Sequence, residues 1–169
     1  MLKFPISFIA FIAFLASPIG VAIESDQKQP IRIQADTAVI KENKGVSIYK
    51  GDVLIVQGTL EIRADNVEIT TINENLSKIV AKSTSLSEGL AKYKQRLDEK
   101  EDMVFAEAQQ ISYLVQEGLL HLSGNAKLKQ RSDFFSGELL YYDIRRGIVN
   151  LDSGETKGRV NMTITPRQN

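Results

Sequence analysis

Leu60-Glu61-Ile62-Arg63-Ala64-Asp65-Asn66-Val67-Glu68-Ile69 alternates apolar with polar residues twice, and the alternation changes phase in the middle. Before the change the apolar side chains are Leu60, Ile62 and Ala64; after it they are Val67 and Ile69. Successive side chains of an extended chain point to opposite faces, so period-two alternation reads as a half-buried strand. A strand that keeps its apolar face inward through a change of phase must contain a bulge or a corner. Small Ala64 permits a tight bend, and Asp65 can accept backbone N–H groups freed there. Ala35-Asp36 stands in the same setting, with Ile31 and Ile33 before it and Ala38 and Ile40 after it. Ala35, Asp36, Ala64 and Asp65 therefore read as structural corners, where the chain passes from one sheet face to the next.

The same alternation runs outward through most of the chain. Val46-x-Ile48, Ile111-x-Tyr113-x-Val115, Leu120-x-Leu122, Ala126-x-Leu128 and Val160-x-Met162-x-Ile164 are short runs separated by Gly, Asn, Asp and Lys. Such a pattern predicts antiparallel strands. Only Ser87 to Gln110, rich in Glu, Lys and Ala, competes as a helix, and its charged centre from Gln95 to Asp102 reads as a hairpin connection. The chain also repeats. Gly51-Asp52-Val53-x-Ile55-x-Gln57 returns as Gly124-Asn125-Ala126-x-Leu128-x-Gln130, and Ala35/Ala38/Ile40 and Ala64/Val67/Ile69 return as Ala108/Ile111/Tyr113 and Gly137/Leu140/Tyr142, all at an offset of 73. Three matches at one offset argue for internal duplication. The expected fold is all-β, with two similar antiparallel halves forming a folded-over sheet or β-taco.

The first residues predict export. Met1-Leu2-Lys3 is a short positive start, Phe4 to Ala16 is almost wholly apolar, and Gly20 and Ala22 form a small-x-small pair after Pro18. That is the layout of a cleaved signal peptide over residues 1–22, and the apolar run is shorter than the ~20 residues a spanning helix needs. Residues 23–169 remain, the size of a single domain. Without Lys3 this part carries 20 basic against 21 acidic side chains, a net charge of minus one. Nothing in that balance would draw it to nucleic acid or an anionic surface, which takes clustered Lys and Arg. The absence of cysteine means that core and strand ladders alone hold the exported fold, and it excludes thiol chemistry.

Reactive groups do not converge. The one histidine, His121, alternates away from Leu120 and Leu122 and so points to solvent. It has no second histidine with which to hold a metal, and there is no Gly-x-Ser-x-Gly elbow or phosphate-binding glycine loop. Asp36, Asp65, Glu107 and Glu138 could in principle pair as glycosidase acids, but their place in repeated corner boxes explains them without catalysis. No enzyme activity, metal or cofactor is expected. The interior is instead a continuous apolar surface. Alternation alone leaves open whether that surface packs on itself or leaves a groove between two sheets.

Several boxes resemble a known family. Ile33-x-Ala35-Asp36, Tyr49-x-Gly51-x-Val53, Gln57-Gly58-x-Leu60-x-Ile62-x-Ala64-Asp65 and Leu122-x-Gly124-Asn125-Ala126-x-Leu128-x-Gln130 are similar to the OstA-like family of periplasmic lipopolysaccharide-export proteins, in that family's order from about Pro30 to Pro166. The resemblance implies a single OstA-like domain over 23–169, a V-shaped β-jellyroll that cradles lipid A acyl chains between its sheets. It implies a periplasmic lipopolysaccharide carrier, stacked head-to-tail as a homo-oligomer between an inner-membrane lipopolysaccharide transporter complex and an outer-membrane translocon. Matching positions give Ile31, Ile33, Ile40, Tyr93, Tyr113 and Val115 as groove lining, and alternation adds Val53, Ile55, Ile62, Leu122 and Leu128. Two other readings stay open: a connector module of the same fold without lipid cargo of its own, and a periplasmic carbohydrate-active enzyme.

Overall fold

The computed structural model describes residues 25–83, 89–97, 102–154 and 158–166, so the expected signal peptide and the centre of the charged turn lie outside the described residues. Among the described residues twelve strands join in one antiparallel sheet: β1 (Arg32–Gln34), β2 (Thr37–Lys41), β3 (Val46–Gln57), β4 (Leu60–Ile72), β5 (Asn75–Lys82), β6 (Ala91–Arg96), β7 (Met103–Ala108), β8 (Gln110–Leu114), β9 (Leu119–Gln130), β10 (Asp133–Asp143), β11 (Ile148–Asp152) and β12 (Asn161–Thr163). The long strands β3, β4, β9 and β10 each serve two layers. One layer runs β2, residues 46–50, residues 66–72, β5, β8, residues 119–123, residues 139–143 and β11. The other runs β1, residues 53–57, residues 60–64, β6, β7, residues 126–130, residues 133–137 and β12. The result is an all-β taco whose two layers face each other across one apolar core.

The fold line is made by bulges. Between Lys50↔Asn66 and Val53↔Ala64, two residues of β3, Gly51 and Asp52, stand opposite Asp65 alone. Both have positive φ, +83° and +39°, which glycine adopts freely and few other residues do. Gly124 and Asn125 repeat the device opposite Glu138, with φ of +78° and +52°. Gly51 also makes room: a Cβ there would lie 2.1 Å from the Asp36 carboxylate, and one on Gly124 would lie 2.4 Å from Gln109, the residue 73 positions after Asp36. The N–H of Asp36 donates to the Gly51 carbonyl and that of Gln109 to the Gly124 carbonyl. The side chain of Asp65 accepts from the Ser83 hydroxyl at 3.2 Å. In β4 burial changes phase as the sequence does, with Ile62 and then Val67 and Ile69 buried.

Strand registers carry the duplication throughout. Arg32↔Val56, Thr37↔Lys50 and Gln57↔Leu60 in the first half recur as Phe105↔Lys129, Gln110↔Ser123 and Gln130↔Asp133, each 73 residues on. After a shorter hairpin, β11 and β12 follow β5 and β6 at offsets of 70 and 69, as Val67↔Ala81 against Leu140↔Leu151 and Ile62↔Tyr93 against Phe135↔Met162 record. The halves are joined in the middle of the molecule by β5 on β8 and β6 on β7. The second of these pairs is the hairpin expected across the charged region. Gln95, expected in its turn, instead belongs to β6 and is buried, because the strand runs on to Arg96 before the chain leaves the sheet.

Candidate functional site

The apolar belt between the layers is the principal candidate. Val53 and Ile55 on β3, Ile62 on β4, Tyr93 on β6, Tyr113 on β8, Leu122 and Leu128 on β9, and Val115 just beyond β8 are all buried in one cluster. Neighbouring strands place them side by side. In one layer Ile55 stands opposite Ile62, Ile62 opposite Tyr93 and Ala106 opposite Leu128; in the other Ile79 stands opposite Tyr113 and Ile111 opposite Leu122. Tyr93 and Tyr113 meet across the layers edge to face, their ring centroids 5.5 Å apart, a geometry favoured by the ring quadrupoles. Side chains fill the space between the layers.

Three of the expected lining residues lie apart from this cluster. Ile33, on β1 opposite Ile55, is half-buried and packs against its end. Ile31 and Ile40 are exposed, Ile40 by 61%, because β1 and β2 form the edge of the molecule and no strand covers their outer side among the described residues. Val39 beside them is exposed too, and at the opposite edge so are Ile148, Val160, Met162 and Ile164.

The buried tyrosines of the interior are neutral. Burial pushes the Tyr113 and Tyr142 hydroxyls up to about 12 and Tyr93 well above the usual tyrosine range, so all three remain protonated at neutral pH. Tyr93 donates to the Gln95 side chain, and Tyr142 donates to Gln130 at 3.1 Å across the layers. His121 is exposed, lies edge-on to Tyr141 at 4.1 Å, and is held below the usual histidine range by partial burial and then by Lys78. The corner acids are dispersed: Asp36 lies against Gly51, Asp65 by Ser83, and Glu107 faces Lys127 at 4.0 Å. Among the described residues no three His, Cys, Asp or Glu are grouped to hold a metal ion, and no helix is long and apolar enough to cross a membrane.

One feature escaped the sequence pattern. Residues 25–27 form a helical turn whose Asp26 is only 4% exposed. Its carboxylate accepts from the Thr59 N–H at 2.8 Å, the Thr59 hydroxyl at 2.6 Å and Gln95 Nε2 at 2.9 Å. The segment is polar and lacks alternation, so only the glutamines that end the apolar runs, Gln57 and Gln95, hint at a polar partner nearby.

Residues 32–148 match the family described as LptA/(LptD N-terminal domain) LPS transport protein. The chain is 32% identical to the lipopolysaccharide export system protein LptH of Pseudomonas aeruginosa, covering 92% of this chain and 90% of that protein. It is 31% identical to the lipopolysaccharide export system protein LptA of Haemophilus influenzae, over 91% and 87% of the two chains. The crystal structure of the P. aeruginosa LptH, described as the LptA homologous periplasmic component of the lipopolysaccharide transport device, superposes with a TM-score of 0.74 at 30% identity, covering 84% of this chain and 99% of that one.

Proposed function

The chain belongs to the LptA/LptD N-terminal family of lipopolysaccharide transport proteins, and from that premise we propose that it is a periplasmic carrier holding lipid A acyl chains between its layers. Its role is in lipopolysaccharide transport, and the relatives' names place those proteins in lipopolysaccharide export. In this reading residues 1–22 are removed on export and 23–169 are the working domain. The buried belt of Val53, Ile55, Ile62, Tyr93, Tyr113, Val115, Leu122 and Leu128 supplies the lining, with Ile33 and then Ile31 and Ile40 continuing it to the edge. Each buried methylene favours the bound state by ~0.8 kcal/mol, and transfer between similar linings exposes little of that surface to water.

The observation that carries the bridging part is the duplication. In the middle of the molecule β5 and β6 of the first half receive β8 and β7 of the second. Their repeats at the two ends, β11 and β12 at one and β2 and β1 at the other, have bare outer edges among the described residues. A second copy can repeat the central junction there. Ile79↔Tyr113 then becomes Val149 on the partner's Ile40, and Tyr93↔Ala106 becomes Met162 on the partner's Ile33. The exposed isoleucines, valines and methionine of the two ends meet one another, and bare backbone groups gain partners. Such a head-to-tail contact does not close and builds a filament. Its end copies would present the same edges to the inner-membrane transporter complex and the outer-membrane translocon.

A photo-crosslinking residue at Ile33 or Tyr113 tests the carrier reading. Lipopolysaccharide adducts are expected at both positions, and a folded, expressed protein without them would overturn it. The filled interior favours one second reading, a connector that assembles in the same way but carries no lipid; stacking without adducts is its signature.

A further inference from the structure

We propose that segment 25–29 is a clasp over the open side of the taco, released when acyl chains enter from that side. This rests on the carrier reading. Bulges run along one long side of the molecule; on the other, the layers end in separate turns. The β3–β4 turn at 58–59 ends one layer and the turn after β8 at 115–118 ends the other. Segment 25–29 lies across both. Toward one layer, Gln27 Nε2 donates to the Val115 carbonyl at 2.8 Å. Toward the other, Asp26 takes three hydrogen bonds from Thr59 and Gln95, and Gln57 Nε2 donates to the carbonyls of Gln27 at 3.2 Å and Gln29 at 3.0 Å.

The fit is built. Gly58, at φ +59°, is the glycine over which Asp26 closes: a Cβ there would stand 2.2 Å from Asp26 Oδ1. Beneath the segment lies the Tyr93–Tyr113 pair, through the bond from Tyr93 to Gln95. Yet Ser25-Asp26-Gln27-Lys28-Gln29 has no apolar side chain to anchor it. Every bond that holds it can be exchanged for one with water, so it can leave without exposing apolar surface of its own. Because β1 follows directly in the Asp26 layer, the contacts of the segment that must break to part the layers at this point are those of Gln27 with Val115 and with Tyr113. A cleft of about 390 Å³, lined by Gln27, Gln57, Leu76, Val115 and Arg145 among others, already runs beside it.

The absence of native cysteine makes the test clean. Gln27→Cys with Gln116→Cys, both lining that cleft, is joined by a reducible bis-maleimide, and uptake of fluorescent lipopolysaccharide is timed. The linked protein is expected to load about tenfold or more slowly, with the rate restored on reduction. Asp26→Ala should load severalfold faster to the same final extent. Equal rates for linked and reduced protein would overturn the clasp. If reduced protein takes up no lipid, the carrier reading falls instead, and hydrogen exchange decides the clasp. The Thr59 amide, donated to Asp26, should exchange by local opening well before neighbouring β4 amides; exchange only with global unfolding refutes it.

Discussion

The middle of the molecule and its two ends are built from the same strands, yet they have opposite surfaces. β8 buries Ile111, Ser112 and Tyr113 beneath β5, while its repeat β2 is exposed at every position. β6 buries Ala91, Tyr93 and Gln95 against β7, while its repeat β12 is exposed throughout. Strand formation therefore depends on alternation and pairing with one neighbour, whereas burial depends on whether a second neighbour arrives. The ends are half-junctions, apolar on the face that the middle hides.

Substitutions at repeated positions separate these roles. Tyr113 and Ile40 are 73 residues apart and nearly opposite in exposure. Tyr113→Asp places an unpaired charge in the core and is expected to cost more than ~4 kcal/mol, so that circular dichroism finds little folded protein at 25 °C. Ile40→Asp should change unfolding free energy by less than about 0.5 kcal/mol while abolishing the concentration-dependent oligomers that the proposed stacking predicts, with light scattering as the measurement. Equal destabilisation by both would break the comparison. The register of the proposed contact is sharpened by Val149→Cys with Ile40→Cys. Oxidation should yield a ladder of linked copies, and Asn150→Cys with Ile40→Cys, one position out of register, should yield far less.

A smaller effect follows from pH. The unfolded chain releases tyrosine protons near pH 10, whereas Tyr113 and Tyr142 hold theirs to about 12 in the folded protein. The stability these groups contribute is full below pH 10 and is lost progressively as pH rises towards 12. Urea midpoints should fall between pH 10 and 11, and less steeply in Tyr113→Phe; an unchanged slope would show that Tyr113 does not carry the effect. Least is expected of the exposed Glu107–Lys127 pair at 4.0 Å. Glu107→Gln should move the same midpoint by no more than ~0.5 kcal/mol equivalent.

Much of this fold was legible because half-buried strands write their faces into the sequence. The phase change at Ala64-Asp65 and the 73-residue offset could be read directly. The position of the bulge could not. The extra residue lies across the ladder at Gly51-Asp52, and a parity argument on β4 sees only its partner's consequence. Ile31 and Ile40 illustrate a second limit, since alternation tells which side of a strand is apolar and not whether another strand covers it. Asp26 illustrates a third. A polar segment tied down by Thr59, Gln57 and Gln95 has no periodicity to betray its burial; its place is set by partners 28 or more residues away.

The repeat has one more consequence for a cargo moving along the interior. Strands lie about 4.8 Å apart, so the four strand positions that each half contributes to a layer span roughly 19 Å. Within a stacked filament that half-molecule, and not the whole chain, would be the spatial period of the track. A transported lipid would then meet twice as many similar resting sites per copy, each hop half as long. Duplication would in this way grade the path as well as build the protein.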